Sequence, residues 1–161
     1  MPFTTQTDRM NSMTRKALLT ALTALLMAAT ASAQDVNDST TFKGYLYNSE
    51  YEVFIRMDLY KQNITVPGQE LYGELPGYLQ REKTSFCWLI TAATIDDARN
   101  AHLEMVNDYG SEDLVAQLTF EGDSIYTLRQ LEGSTIKVPR NGKWQRLPKV
   151  LRLKLNALTR P

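Results

Sequence analysis

The chain contains one cysteine and one histidine, so few side chains could act as a nucleophile or a general base. Nucleophilic catalysis needs a nucleophile, a base that takes its proton and a third group that orients the base. Cys87 stands between two aromatic residues in a run typical of a β-strand, with no adjacent cation or helix terminus that would make its thiol reactive. His102 alternates with Ala101 and Leu103, which turns its imidazole to the solvated side of a predicted strand. We therefore expect no enzyme and assign no catalytic residue.

Clustered acidic residues could also do chemistry, either as acid–base pairs or as metal ligands. Asp96-Asp97 and Glu112-Asp113 fall at predicted turns, where an aspartate is used for its hydrogen bonds to nearby backbone N–H groups. Four residues around the second turn carry the oxygen atoms that calcium prefers, without the fixed spacing of a calcium loop: Asn107, Asp108, Glu112 and Asp113. The glycine patterns of nucleotide-binding loops are also missing. We expect neither a metal nor a cofactor.

These side chains must be positioned by strands, because apolar and polar residues alternate in short runs separated by turn residues. In the clearest run, one face carries Tyr51, Val53, Ile55, Met57 and Leu59, and the other carries Glu52, Arg56 and Asp58. Asn141-Gly142 separates two further runs and is the strongest hairpin signal in the chain. The pattern predicts an all-β domain over residues 41–161, a single antiparallel meander of eight to ten strands. Short connections favour a closed barrel, and a β-sandwich is the alternative.

One stretch interrupts the alternation, from Val66 to Leu79. It contains two Pro-Gly pairs, which cannot belong to a central strand. The sequence therefore predicts a rigid, irregular loop at the barrel rim over residues 66–79, where binding function is often found. Its candidate interaction residues are Tyr72, Glu74 and Tyr78.

The first 33 residues have the organisation of a secretory signal peptide. Arg15 and Lys16 precede an apolar run over residues 17–27, and Ala31-Ser32-Ala33 matches a cleavage site. That run is shorter than the ~20 apolar residues that a membrane-spanning helix needs, so we expect no transmembrane segment. We predict cleavage after Ala33, a flexible lead-in over residues 34–40, and a protein exported to the periplasm or the extracellular space. Cleavage would remove three of the eighteen basic residues and one of the eighteen acidic residues, which leaves a net charge of −2.

Charge is distributed unevenly along the rest of the chain. Residues 96–132 hold nine acidic and two basic residues, whereas residues 133–161 hold eight basic residues and no acidic one. Basic residues with an interleaved aromatic, here Trp144, can bind nucleic acid or anionic glycans. Because an exported protein seldom meets nucleic acid, we expect no nucleic-acid partner, and an anionic glycan or lipid headgroup would fit better. The alternative, which we favour, is the solvated outer face of two strands beside acidic neighbours.

Several segments resemble small exported proteins of Bacteroidetes-type bacteria. They are residues 66–70, residues 73–79, residues 109–114 and residues 133–138 with the following Asn141-Gly142-Lys143-Trp144. The resemblance implies export and carries no assigned activity. Under this resemblance, Asp38-Ser39-Thr40 and Asp123-Ser124-Ile125 are similar to the sites at which such bacteria O-glycosylate exported proteins. The strand pattern is similar to that of lipocalin-like barrels, although Phe42-Lys43-Gly44 stands where lipocalins have Gly-x-Trp.

Two functions follow as hypotheses. The first is an exported, non-enzymatic binding protein that takes a small apolar or amphipathic ligand, or a peptide, at the barrel mouth. Its candidate ligand-binding residues are the aromatic and methionine side chains on inward faces: Trp88, Phe86, Met105 and Met57. The second is a cell-envelope interaction protein, an accessory subunit or inhibitor, that uses the loop over residues 66–79. The partner would be a small ligand in the first case and an envelope protein in the second.

Overall fold

The computed structural model describes residues 40–156. The expected signal peptide, and all of the expected lead-in except Thr40, lie outside these residues. The described part contains one short 3-10 turn, Glu70–Tyr72, and twelve strands: β1 (Lys43–Asn48), β2 (Val53–Asp58), β3 (Ile64–Thr65), β4 (Glu74–Leu75), β5 (Gly77–Arg81), β6 (Cys87–Ile95), β7 (Asn100–Asn107), β8 (Asp113–Gly122), β9 (Ile125–Gly133), β10 (Lys137–Arg140), β11 (Lys143–Arg146) and β12 (Val150–Leu155).

Eight of these strands close into one antiparallel barrel, in the order β1-β2-β5-β6-β7-β8-β9-β12 and back to β1. Each barrel strand pairs with the next barrel strand along the chain, so the barrel is a meander. The all-β class and the closed barrel predicted from the sequence are confirmed, and the sandwich is excluded. Closure gives every barrel strand two neighbours and removes the exposed edges that an open sheet would present.

Two strand pairs stand outside the barrel. The β3–β4 pair interrupts the meander between β2 and β5, and the β10–β11 hairpin interrupts it between β9 and β12. The hairpin turns at Asn141 and Gly142, with φ angles of 51° and 74°. Positive φ at both central residues is what a type I′ turn requires, so the predicted hairpin is confirmed. The two pairs lie at opposite ends of the barrel, because they follow strands that run in opposite directions.

Inward-facing residues fill the barrel. The interior cluster includes Leu46, Ile55, Leu103 and Leu118, each with a relative exposure of 0%. An eight-stranded barrel is just wide enough for side chains to fill its interior, which explains why alternation alone produces a packed core. A smaller cluster lies on the outer wall, and the β3–β4 pair contributes to it: Val66, Leu75, Tyr78, Cys87 and Leu89.

The predicted loop over residues 66–79 is too long at its C-terminal end. Gly77 begins β5, a barrel strand that pairs with β2 and β6. Tyr78 is therefore buried, at 5% exposure, and contacts the ring of Phe54 edge-on at 5.7 Å. The second Pro-Gly pair marks the first residue of a strand, which is one of the places where a sheet tolerates proline nearby.

The alternation pattern predicts that Asp58 lies on the solvated face, but the structure buries it. It is 4% exposed, and its carboxylate accepts hydrogen bonds from the backbone N–H groups of Tyr60 and Lys61 and pairs with Lys43 at 3.1 Å. Burial raises the pKa of Asp58, but the Lys61 hydrogen bond and the Lys43 charge outweigh burial and hold the pKa below its usual range. This carboxylate organises the turn that leaves β2.

Two glycines with positive φ give a matched test of the fold. A Cβ at Gly142 would meet no atom within 4 Å, so Gly142→Val should destabilise the protein by about 1–2 kcal/mol through backbone strain alone. A Cβ at Gly133 would lie 2.5 Å from the carbonyl oxygen of Asp113, so strain and a backbone clash act together. We expect Gly133→Ala to lower the free energy of unfolding by about 2–5 kcal/mol. Chemical denaturation of both variants measures this, and a smaller loss for Gly133→Ala would contradict the β8–β9 packing.

Candidate functional site

Three of the four predicted ligand-binding residues belong to the packed interior. Met57, Trp88 and Met105 are 1%, 0% and 1% exposed and lie in the main core cluster. Side chains buried to this degree have no surface left for a ligand to contact. The fourth residue, Phe86, is 7% exposed and lies immediately before β6, at the end of the barrel that carries the β10–β11 hairpin. We call this end the mouth.

Phe86 joins two exposed aromatic side chains at the mouth. Its ring contacts Trp144 of the hairpin edge-on at 4.7 Å and Tyr109 of the β7–β8 loop at 5.4 Å. Trp144 is 52% exposed and Tyr109 is 71% exposed. Large aromatic side chains bury about 150–250 Å² when they are covered, so two that remain more than half exposed on a shared partner are suited to binding.

These rings border a cleft of about 230 Å³, the mouth cleft, which lies between the hairpin and the β7–β8 loop. It is lined by Phe86, Asn107, Tyr109, Ser111, Glu112, Lys137 and Trp144. Its charged groups are Lys137 and Glu112, whose side chains pair across the cleft at 2.6 Å. Both partners are partly exposed, so water screens the pair and its contribution to stability is small. The cleft thus combines an aromatic wall with a neutral but strongly polar wall.

The β7–β8 loop is held in place by the side chain of Asn107, which is 2% exposed. Its Oδ1 accepts hydrogen bonds from the backbone N–H groups of Ser111 and Glu112, at 3.0 and 3.4 Å. Its Nδ2 donates to the Ser111 hydroxyl at 3.2 Å, and its backbone carbonyl accepts from Gly110 N–H at 2.9 Å. One buried amide therefore fixes the loop that presents Tyr109.

The hairpin is held over the mouth by two side chains of the barrel. The indole N–H of Trp88 donates to the carbonyl of Lys137 at 3.0 Å, and the guanidinium of Arg81 donates to the carbonyl of Pro139 at 3.1 Å. Arg81 also pairs with Glu52, in the turn between β1 and β2. The inner face of the hairpin packs on the core, with Ile136 and Val138 both at 0% exposure.

The four residues considered as calcium ligands have separate surroundings, and the buried Oδ1 of Asp108 has no hydrogen-bond partner within the described residues. Asn107 holds the loop, Glu112 pairs with Lys137, and Asp113 begins β8. Burial raises the pKa of Asp108, whose backbone N–H donates to the carbonyl of Cys87 at 3.0 Å. Within residues 40–156, no group of three or more His, Cys, Asp and Glu side chains is arranged to hold a metal ion.

The single histidine and the single cysteine are far apart. His102 lies opposite Thr94 on β6 and pairs with Asp96 at 2.5 Å, on the exposed outer face. Cys87 begins β6, seven residues from Thr94, which corresponds to about 23 Å along the strand. No nucleophile–base pair forms between these two residues.

The predicted interaction loop lies at the end of the barrel opposite the mouth. Tyr72 is 44% exposed, Glu74 is exposed in β4, and Leu71, in the middle of the 3-10 turn, is fully exposed, at 104%. Tyr78 does not join them, because it is buried on β5. Of the residues that the structure brings together at the mouth, Phe86 and Trp144 were singled out from the sequence as candidates for binding, and Asn107 and Glu112 only for a calcium site that we did not expect. Sequence patterns did not place them in one site. Tyr109 was missed, although its position in a polar turn is a signal of exposure.

Comparison with family models, with curated proteins and with solved structures found no match for this chain. Among residues 40–156, no helix has the length and apolar character required to cross a membrane. The function must therefore be argued from the mouth cleft and from the exposed loop.

Cys87 supplies a test of the packing beneath the mouth. Burial, with a smaller contribution from the charge of Asp108, raises the pKa of this thiol to about 12. We expect negligible reaction with a thiol-specific disulfide reagent at pH 8, and full reaction of the same sample in denaturant, because the unfolded thiol titrates near its ordinary pKa. Between the unfolded and the folded pKa the unfolded state releases the proton first, so stability should fall as the pH rises from 9 toward 12. Rapid labelling of the folded protein at pH 8 would contradict the buried environment.

Proposed function

We propose that this protein is a non-enzymatic binding protein whose mouth cleft receives a small amphipathic ligand or a side chain of a short peptide. The observation that carries the proposal is the grouping of two exposed aromatic residues, Tyr109 and Trp144, on the buried ring of Phe86 beside the Glu112–Lys137 pair. Binding sites for small molecules are concave and mostly apolar, with a few polar groups that orient the ligand. The mouth cleft has this composition.

The size of the cleft limits what it can hold. Its volume of about 230 Å³ is below the ~300–1,000 Å³ of clefts that enclose drug-sized ligands. An aromatic ring or one large side chain fits this volume, whereas a long lipid chain does not. The packed interior gives such a chain no second compartment, because Trp88, Met57 and Met105 occupy it. We therefore favour a ligand with one apolar group and a polar remainder at the rim.

The proposal includes export, which rests on the sequence features of residues 1–33 and on the resemblance to small exported proteins of Bacteroidetes-type bacteria. The likeness to lipocalins is part of the same proposal, but with the ligand at the rim of the barrel. Of the two segments similar to O-glycosylation sites, Asp38-Ser39 lies outside the described residues. Asp123 and Ser124 form the turn between β8 and β9, both with positive φ.

A second candidate function rests on the exposed loop at the other end of the barrel. Leu71 and Tyr72 project from the 3-10 turn, and the preceding Gly68 N–H donates to the Glu70 carboxylate at 2.9 Å, which stiffens the turn. A fully exposed leucine beside a tyrosine on an ordered turn suits a protein partner. In this alternative the protein is an envelope accessory subunit or inhibitor.

The first proposal predicts that an amphipathic aromatic probe binds the mouth. We expect anilinonaphthalene sulfonate to bind the folded protein and to quench or shift the emission of Trp144. Truncating an aromatic wall residue removes about 1–3 kcal/mol of burial, so Trp144→Ala and Tyr109→Ala should each weaken probe binding by about tenfold or more. Fluorescence titration measures the affinities.

The matched control is Leu71→Ser/Tyr72→Ser, which removes exposed apolar surface at the opposite end of the barrel. Unchanged probe affinity in this control, with loss in the mouth variants, supports the cleft. Probe binding that is insensitive to both mouth variants would refute it. Capture of an envelope protein by wild type and by Trp144→Ala, but not by the Leu71→Ser/Tyr72→Ser variant, would instead support the second function.

A further inference from the structure

One sheet edge at the mouth has no strand partner in the part of the chain that the structure describes. The hairpin forms a two-stranded sheet, so β11 pairs with β10 and with no other strand among residues 40–156. The backbone N–H of Leu147 donates to the carbonyl of Ile136 at 2.9 Å, which identifies that pair as hydrogen-bonded. Hydrogen-bonded and non-bonded pairs alternate in an antiparallel ladder, so Gln145 and Lys143 bond to β10. The N–H and C=O groups of Trp144 and Arg146 therefore point away from β10, toward the free edge.

The same alternation explains the other edge of the hairpin. The carbonyls of Lys137 and Pro139 face away from β11 and accept the hydrogen bonds from Trp88 and Arg81. Pro139 has no N–H to donate, and it stands at a position where the ladder to β11 needs none. One edge of the hairpin is thus attached to the barrel, and the other has no strand partner within residues 40–156.

The free edge is strongly basic, and its charges are arranged unfavourably for the hairpin alone. Two of the four cross-strand pairs join like charges, Lys137 with Arg146 and Arg140 with Lys143. Like charges directly opposite each other destabilise a strand pair. Lys137 is compensated by Glu112, and Arg140 donates to the Gln145 amide oxygen at 3.1 Å. Within the described part of the chain, Lys143 and Arg146 form no ion pair, and both are exposed.

We propose that the ligand of the mouth cleft is an acidic peptide segment in extended conformation, which adds as a third strand to the free edge of β11 and places an aromatic or apolar side chain against Trp144. This inference rests on the proposed function and names the class of ligand for that cleft. Backbone hydrogen bonds from Trp144 and Arg146 supply attachment, as in other cases of strand addition to a sheet edge. The cleft and the basic residues supply selectivity.

The occupant is argued from three features of the edge. Lys143 and Arg146 form no ion pair within the described residues, so negative charge on an added strand would be attracted to them. An acidic strand would also offset the repulsion of Lys143 from Arg140 and of Arg146 from Lys137. Residues directly opposite on neighbouring strands have Cβ atoms about 4.5–5.5 Å apart, so a side chain opposite Trp144 would lie against its ring. Pro148 follows β11 closely, so the added segment gains no further ladder positions beyond Arg146. A short segment of a few residues fits.

Basic side chains also protect sheet edges from pairing, and this is the competing explanation. Protection predicts that no peptide adds to β11, whatever its charge. An interaction by charge alone predicts that any polyanion binds, without regard to backbone geometry. Strand addition predicts dependence on charge, on the aromatic side chain and on the backbone N–H groups of one face of the peptide.

The test uses blocked seven-residue peptides that alternate glutamate with apolar residues around a central phenylalanine, titrated by calorimetry at low salt. Two derivatives carry N-methyl groups, one on the odd positions and one on the even positions. Only one set of N–H groups can face β11. We expect one methylated derivative to bind like the parent peptide. The other should bind at least about tenfold more weakly, because its methyl groups block the backbone hydrogen bonds to β11. Equal affinities of both derivatives and the parent would overturn strand addition.

Charge is tested with Arg146→Glu and with the matched control Lys154→Glu, an exposed lysine on β12 of the barrel wall. We expect about tenfold or greater weakening for Arg146→Glu and little change for Lys154→Glu, with a strong salt dependence for wild type. Heparin is the comparison polyanion. Two outcomes would show binding by charge alone and would overturn the proposal. One is that heparin displaces both methylated derivatives equally well, and the other is that Arg146→Glu and Lys154→Glu weaken peptide binding equally.

Failure of this inference is distinguishable from failure of the proposed function. Binding of anilinonaphthalene sulfonate that depends on Trp144, without any peptide binding, would refute the acidic strand and leave the mouth cleft as a ligand site. Peptide binding that survives Trp144→Ala would refute the placement of its side chain in the cleft. Absence of both probe and peptide binding would refute both proposals.

Discussion

The buried indole of Trp88 imposes the constraint on which the mouth of this barrel depends. Its ring fills the interior at 0% exposure, and an indole N–H buried without an acceptor would cost about 1–3 kcal/mol. The acceptor is the carbonyl of Lys137, so the β10–β11 hairpin must lie across the barrel end. The guanidinium of Arg81 makes a second such bond two residues further along β10, to the carbonyl of Pro139. The residue that fills the core therefore also fixes the position of the cleft wall.

The opposite wall of the cleft is also fixed by a buried polar side chain. Asn107 is buried, and its amide is satisfied within the β7–β8 loop, which fixes the loop that carries Tyr109. Two elements without regular barrel pairing are thus anchored by polar side chains, the hairpin by Trp88 and Arg81 and the loop by Asn107. Phe86 fills the space between them and contacts both exposed rings. A cleft built on anchored walls is preorganised, so a ligand need not order the walls when it binds.

Sequence patterns predict the barrel well because each strand has one apolar face. Closing the sheet into a barrel keeps that face inside, so the alternation of apolar and polar residues remains visible in the sequence. The hairpin at Asn141-Gly142 was equally predictable, since few dipeptides tolerate positive φ twice. Tyr78 was misplaced because a Pro-Gly pair begins a strand as readily as it continues a loop. The mouth cleft could not be predicted, since Tyr109 and Trp144 are 35 residues apart and are brought together by their separate contacts with Phe86 and by a hairpin outside the meander. Local patterns carry no information on such a contact.

The most direct test of this account is amide hydrogen exchange of Trp88→Phe, which keeps an aromatic ring in the core and removes the indole donor. We predict that the Leu147 amide, which bonds Ile136 within the hairpin, exchanges about tenfold faster or more than in wild type, as expected for loss of about 1–3 kcal/mol locally. The amides of β8 should change only as far as global stability does, and Leu103→Val supplies a core variant away from the hairpin for comparison. If the exchange rates of the hairpin amides and of the β8 amides rise by the same factor in both variants, Trp88 does not hold the hairpin over the mouth.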